Sequence, residues 1–445
     1  MSGALTPDPS PAERREVRES LGDSAARGLY TALAFAAAPF LPLKLWWRGR
    51  RESGYRQAIG ERFGRYGTSA VPTPLYWVHA VSVGETRAAL PLVQHLKSEY
   101  PAATILLTHM TAAGREAGRM LLGDQVTQAW IPYDFPFAVR AFFAHFHPVA
   151  GFLLETELWP NLIAQASALR VPLFLINARL SERSALGYAR FPALTRPMLG
   201  RLSGVAAQSA DDARRLKQLG AAAPTVTGNL KFDLSVPREA STLAAEFKLR
   251  FGAATRPLWI AASTRDGEEA LILDAMARAP LPAAVLTLIV PRHPQRFDVV
   301  AEILRRRGIP FVRRSSNAAV PADVSIVLGD SMGEMLAYYA AADVAFVGGS
   351  LLPFGAHTLI EPLSVGTPVL IGPHTFNFAE ATENALSAGA AIRVEDADAL
   401  IANVARLIGD SAACAAMARA AHAFHEAHRG ASDRLWAWLA PQLKP

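Results

Sequence analysis

The sequence predicts two doubly wound α/β domains in tandem, preceded by a short apolar segment at a membrane boundary. Three observations carry that prediction. At 445 residues the chain is long for one domain and comfortable for two. Short apolar runs bounded by turn residues alternate with amphipathic stretches, the pattern of parallel strands covered by helices on both faces. The alternation breaks at residues 233–239 (DLSVPRE), where Pro237 interrupts and no apolar period persists, and then restarts.

Residues 1–23 are polar and punctuated by Pro7, Pro9 and Pro11, which reads as a disordered leader extending through residue 27. Residues 28–45 (GLYTALAFAAAPFLPLKL) are apolar except for Tyr30, Thr31 and Lys44, and lead directly into Trp46, Trp47, Arg48, Arg50 and Arg51. Interfacial tryptophans followed by arginines mark a membrane boundary, and the positive-inside rule puts the body of the chain on the cytoplasmic side. A spanning helix needs roughly 20 apolar residues, so this run is marginal, with Pro39 and Pro42 near its end. Residues 28–51 are therefore a membrane-attachment segment, spanning or lying in the interface. No small-residue cleavage site follows it, which argues against a signal peptide.

The first domain is expected over residues 52–236, with strands at 75–78, 104–108, 128–133, 149–155, 172–177 and 204–208. The second is expected over 237–445, with strands at 258–262, 284–290, 325–328, 344–347 and 368–371, and its last helix is a candidate to pack back on the first domain. Sheets of this kind bind ligands outside the carboxyl ends of their strands. Composition fits globular domains, with 51% hydrophobic and 19% charged residues. The net charge of +6 favours an anionic partner, and nucleic acid, acidic phospholipid and a phosphorylated substrate are all admissible on charge alone. Basic residues are dispersed and no nucleic-acid module is present, so nucleic acid is not an expected partner. The single cysteine, Cys414, excludes an internal disulfide and a CxxC metal site.

Five segments could carry chemistry, each at a strand end or domain border. HAVSVGET (79–86) makes a strand-to-helix turn; Ser82 and Glu85 have capping-box spacing, and a carboxylate there also suits a general base. FLLETELWPNL (152–162) brings Glu155 and Glu157 to a strand end, where they either complement a helix dipole or face a ligand. TGNLKFD (227–233) supplies Lys231, a hinge lysine or an anion ligand. VPRHPQRF (290–297) offers Arg292 and His293, with Arg296 read as a possible surface residue. The longest stretch runs from GDSMGEM (329–335) to residue 380 and repeatedly pairs glycines with helix starts, a geometry that binds phosphates through backbone N–H groups. Glu361 there is placed for a ribose diol. The only Asp-x-Asp triplet, Asp396–Ala397–Asp398, reads as a helix start rather than a metal site.

SVGE, ETELWPNL, NARLSERS (177–184), GNLKFD, PRHPQRF, MGEM and GPHTFNF (372–378), in this order, resemble the transferases of 3-deoxy-D-manno-octulosonic acid (Kdo) of lipopolysaccharide synthesis, a GT-B glycosyltransferase family. The resemblance implies two Rossmann-like domains facing a central cleft; with no Asp-x-Asp after a strand, no metal is expected, nor any cofactor. It also implies a CMP-Kdo donor, a lipid A precursor as acceptor, and action at the cytoplasmic face of the bacterial inner membrane. It casts Glu85 as general base, Glu155 and Lys231 as supports of the transition state, and Pro291, Arg292, Met332, Gly333, Glu334, Thr358, Leu359, Ile360 and Glu361 as CMP-binding positions. The chain departs from the family's usual pattern in two places. Residues 355–359 read Gly-Ala-His-Thr-Leu where Gly-Gly-His-Asn-Pro is common, and Arg265 stands where a histidine is common. The alternatives are another membrane-associated nucleotide-sugar transferase, an epimerase, which has no need of the apolar segment, and a non-catalytic membrane-anchored binding protein.

Overall fold

The computed structural model describes residues 20–67, 71–233 and 236–443. The chain divides into two compact units, Met1–Leu234 with Gly430–Pro445, and Ser235–Arg429. The carboxyl-terminal segment, expected within the second domain's span of 237–445, thus belongs to the first unit.

Among the described residues, the first unit is built on seven parallel strands: β1 (Leu75–His79), β2 (Thr104–His109), β3 (Thr127–Trp130), β4 (Ala150–Leu154), β5 (Leu173–Ala178), β6 (Gly204–Ala207) and β7 (Thr225–Val226). Their order is β3-β2-β1-β4-β5-β6-β7. The central strands are buried along their whole length, which is why they read as continuous apolar runs. One face packs Trp77, Phe142, Phe143 and Leu175; the other packs Val78, Phe152 and Phe174. The last helix, Ala431–Leu439, completes that second face with Leu435 and Leu439, and the Asp233 carboxylate accepts from the Gly430 N–H at 2.6 Å at its start.

The second unit, again among the described residues, carries β8 (Leu258–Thr264), β9 (Leu286–Pro291), β10 (Phe311–Arg313), β11 (Ile326–Leu328), β12 (Val344–Val347), β13 (Val369–Ile371) and β14 (Ala391–Arg393), ordered β10-β11-β9-β8-β12-β13-β14 and all parallel. In each sheet the order of winding reverses once, between β1 and β4 and between β8 and β12. Loops leaving adjacent strands there diverge and open a crevice at the carboxyl edge. The loop after β12 must pass close to β8: a Cβ at Gly348 would meet the Ser263 carbonyl oxygen at 2.6 Å, so only glycine fits.

The amino-terminal segment forms two helices, α1 (Leu21–Ala37) and α2 (Phe40–Arg51). Helix α1 starts inside the expected disordered leader of residues 1–27. Ser20 and Asp23 close a reciprocal capping box that starts the helix there. Residues 1–19, the rest of that leader, lie outside the described residues. No single helix among the described residues is long and apolar enough to cross a membrane; α1 and α2 together have the length and composition, but with a 57° bend where Pro39 breaks the run. Nor is α1 an ordinary core helix, since none of its residues is buried. It docks on the first unit through Tyr30, hydrogen-bonded to Asp134, Thr31, which pairs with Asn161 at 3.0 Å, and Phe35, whose ring lies 5.0 Å from that of Phe135.

Leu435 fills a position in the first unit's core, and Leu435→Ala is expected to cost about 2–5 kcal/mol. Hydrogen exchange checks this: protection should fall across β1, β4 and β5 and remain unchanged across β8, β9 and β12.

Candidate active site

Glu85 and Glu155 follow β1 and β4, the two strands flanking the first unit's reversal of order. Ser82 caps the short helix α3 (Val83–Ala88), and Glu85 occupies its first turn. The Glu85 carboxylate accepts from the Ser82 hydroxyl at 2.8 Å and from the Val81 N–H at 2.9 Å. Both readings of this turn therefore hold in one residue: Glu85 belongs to the cap, and it is a buried carboxylate, 7% exposed. Burial and the nearby Glu155 charge push its pKa from 4.5 up to about 7, against the lowering pull of the two hydrogen bonds.

Glu155 follows β4 directly with φ of 58°, a left-handed conformation that a non-glycine residue adopts at a cost of roughly 1–2 kcal/mol. Strain of this kind collects at functional sites. Its carboxylate meets the Lys231 ammonium at 2.6 Å. Lys231 also lies beside the Glu85 turn, since a Cβ at Gly84 would come within 3.9 Å of its Cε. Asn177, at the end of β5, fixes the lysine's segment by accepting from the Leu230 N–H at 3.0 Å. Glu157 accepts from the Trp159 indole at 3.0 Å, and burial raises its pKa. Burial first, and then the nearby Glu155 and Glu157 carboxylates, make ionising Glu85 costly, which holds it poised near neutrality.

The candidate donor positions sit in the second unit at the carboxyl ends of β9, β11 and β12. Pro291 is the last residue of β9, and the Arg292 N–H donates to the Thr264 carbonyl at 3.0 Å. Gly333 turns the loop after β11 with φ of 83°. Glu334 holds that turn: its carboxylate accepts from Arg314 at 2.7 Å, from Tyr338 at 3.0 Å and from Ser331. Met332 is exposed, whereas Leu359 and Ile360 are buried, so these last two can reach a ligand only through their main chain. Thr358 accepts from the Ile360 N–H at 3.2 Å, and Glu361 lies in the first turn of the helix Ile360–Ser364. Arg265, Arg292 and His293 surround His357, whose pKa falls to about 3 through burial and these neighbouring charges. Its Nε2 is buried and has no hydrogen-bond partner in the protein.

Sequence reading missed Glu268 and Glu269, both fully buried in the first turn of the helix that follows β8. Glu268 accepts from the N–H groups of Arg265, Gly349 and Leu351, tying together the loops after β8 and β12. Glu269 pairs with Arg296 at 2.9 Å, so Arg296 is a half-buried structural cation rather than the surface residue envisaged. Asp396 caps the helix Ala397–Gly409, and Asp398 pairs with Arg278.

A family model described as 3-deoxy-D-manno-octulosonic-acid transferase matches residues 57–234, and one for group 1 glycosyl transferases matches 310–424. The chain is 44% identical to a 3-deoxy-D-manno-octulosonic acid transferase of Bordetella pertussis, over 93% of this chain and 99% of that one. This chain belongs to the Kdo transferase family. A second relative, the 3-deoxy-D-manno-octulosonic acid transferase of Haemophilus influenzae, is 37% identical over 94% of this chain and 99% of its own. Among solved structures, Anabaena Alr3699/HepE in complex with UDP superposes with a TM-score of 0.57, at 16% identity, covering 83% of this chain and 99% of that one. The likeness is one of fold, and the fold of this Kdo transferase is GT-B, with two Rossmann-like domains.

Two expectations follow. The folded protein holds the Glu85 proton more tightly than the unfolded chain does, so ionising Glu85 opposes folding and its contribution to stability falls as pH rises from about 4.5 through 7. Glu85→Gln should therefore exceed the parent in stability at pH 8, by on the order of 1–3 kcal/mol, with the gain fading toward pH 5 in denaturant titrations. Ala356 has φ of 65°, a left-handed conformation that favours glycine. Ala356→Gly should stabilise the second unit by roughly 0.5–1 kcal/mol, read as a shift in its thermal unfolding.

Proposed function

We propose that this Kdo transferase moves Kdo from CMP-Kdo to a hydroxyl of a lipid A precursor with inversion, at the cytoplasmic face of the inner membrane, with Glu85 as general base. The observation that carries this reading is the buried Glu85 carboxylate beside the Glu155–Lys231 pair, with its pKa raised to about 7. A base so tuned is half ionised near neutrality, yet strong enough to take the proton of an attacking hydroxyl. As that hydroxyl attacks the anomeric carbon, its proton passes to Glu85 and CMP leaves from the opposite face. Lys231 compensates Glu155, so the site's charge remains bearable once Glu85 ionises.

Charge developing on the departing phosphate needs donors already in place. Arg292 and Arg265, the unpartnered Nε2 of His357 and the main-chain N–H groups of the loops after β11 and β12 are candidates for that role. Reaction without a metal ion is part of the proposal; among the described residues no group of three or more His, Cys, Asp or Glu side chains is placed to hold one. Membrane attachment rests on α1 and α2, which expose Leu29, Leu33, Phe40, Leu43, Trp46 and Trp47, with Arg48 and Arg50 alongside the tryptophans.

The purified protein, incubated with CMP-Kdo and a tetraacylated bisphosphorylated acceptor in EDTA, should transfer Kdo, detected by product mass. Glu85→Gln should lose about 10²–10⁴ in kcat while still binding CMP. A parent that needs added divalent metal, or a variant within threefold of the parent, would refute the corresponding part of the proposal.

A further inference from the structure

The first unit contains a groove of about 530 Å³, within the range of roughly 300–1,000 Å³ typical of ligand clefts. Its walls are α1, the 156–160 segment and the helices Glu182–Ala189 and Pro192–Gly200. The lining is mainly apolar, with Trp159, Tyr188, Phe191, Leu194 and Met198 facing Tyr30 of α1. Thr156 and Glu157 also line it, directly after Glu155 in the chain, so the groove adjoins the carboxylate cluster.

We propose that this groove receives a fatty acyl chain of the acceptor, and that α1 is one of its walls. On this view the amino-terminal helix helps select the acceptor, besides attaching the protein to the membrane. The inference rests on the lipid-acceptor reading above. Three observations favour an acyl chain over another occupant. Phe191, on the groove, is 66% exposed, an apolar side chain held in solvent at the opening. Leu29 and Leu33 share one face of α1 and are 64% and 62% exposed, so the helix that closes the groove with Tyr30 also offers an apolar face to a bilayer. One turn before Tyr30, Arg27 lines a second pocket of about 370 Å³ with Arg140 and Arg201, complementary to the anionic headgroup of the same amphiphile.

Gly187 provides the test. It lies in the helix Glu182–Ala189 and lines the groove, and a Cβ there meets nothing within 4 Å. Leucine is a better helix former than glycine, so Gly187→Leu should fold while filling the groove. Transfer by the full-length parent and by Gly187→Leu is measured with a tetraacylated bisphosphorylated disaccharide and with the same disaccharide stripped of its chains. The expected result is a loss of at least tenfold in kcat/KM for the acylated acceptor alone, with melting temperature and sedimentation with anionic vesicles unchanged. Equal kcat/KM of the parent for the two acceptors, no effect of Gly187→Leu, or an equal loss on both acceptors would overturn the groove's role while leaving Kdo transfer intact. A parent inactive on both would sink the acceptor reading and the groove with it.

Discussion

The single reversal of strand order between β1 and β4 is the constraint on which the first unit's chemistry depends. A parallel sheet must cross over its faces to continue, and where winding changes direction the two departing loops leave a crevice between them. Glu85 is carried into that crevice by the cap of α3, and Glu155 by its left-handed conformation directly after β4. Lys231 arrives from a distant segment that Asn177 holds in place. None of the three is positioned by its neighbours in sequence alone; the sheet sets their separation.

That placement opposes stability. A carboxylate taken out of water and set near two others favours its protonated form, so the folded protein resists ionisation of Glu85. The cap donors Val81 and Ser82 and the Glu155–Lys231 pair offset part of that cost. The second unit follows a different logic. There buried acids are fully engaged by backbone N–H groups and arginines, and serve to fix loops around a positively charged surface at Arg265 and Arg292.

Buried central strands were legible because burial on both faces leaves nothing but apolar residues to read. β7, β10 and β14 were not, since they are two or three residues long, partly exposed and paired on one side only. The helical start at Leu21 was available in the Ser20–Asp23 spacing, but the prolines upstream dominated the reading. Glu85, Glu155 and Lys231 each stood out by motif, whereas their meeting did not, because Lys231 lies 76 residues from its partner. Glu268 was invisible for the same reason: two of its three donors lie more than 80 residues away, and two adjacent glutamates at a helix start look like ordinary dipole partners.

The central claim is that Glu85 is a buried carboxyl titrating near neutrality at the reaction centre. Infrared difference spectra of the parent against Glu85→Gln, recorded from pH 4 to 9, observe that carboxyl directly. A protonated carboxyl band that persists at pH 6 and disappears with a midpoint near 7 is the expected result. A midpoint near the ordinary glutamate value would contradict the assignment, because Glu85 would then be a solvated helix cap and not a poised base.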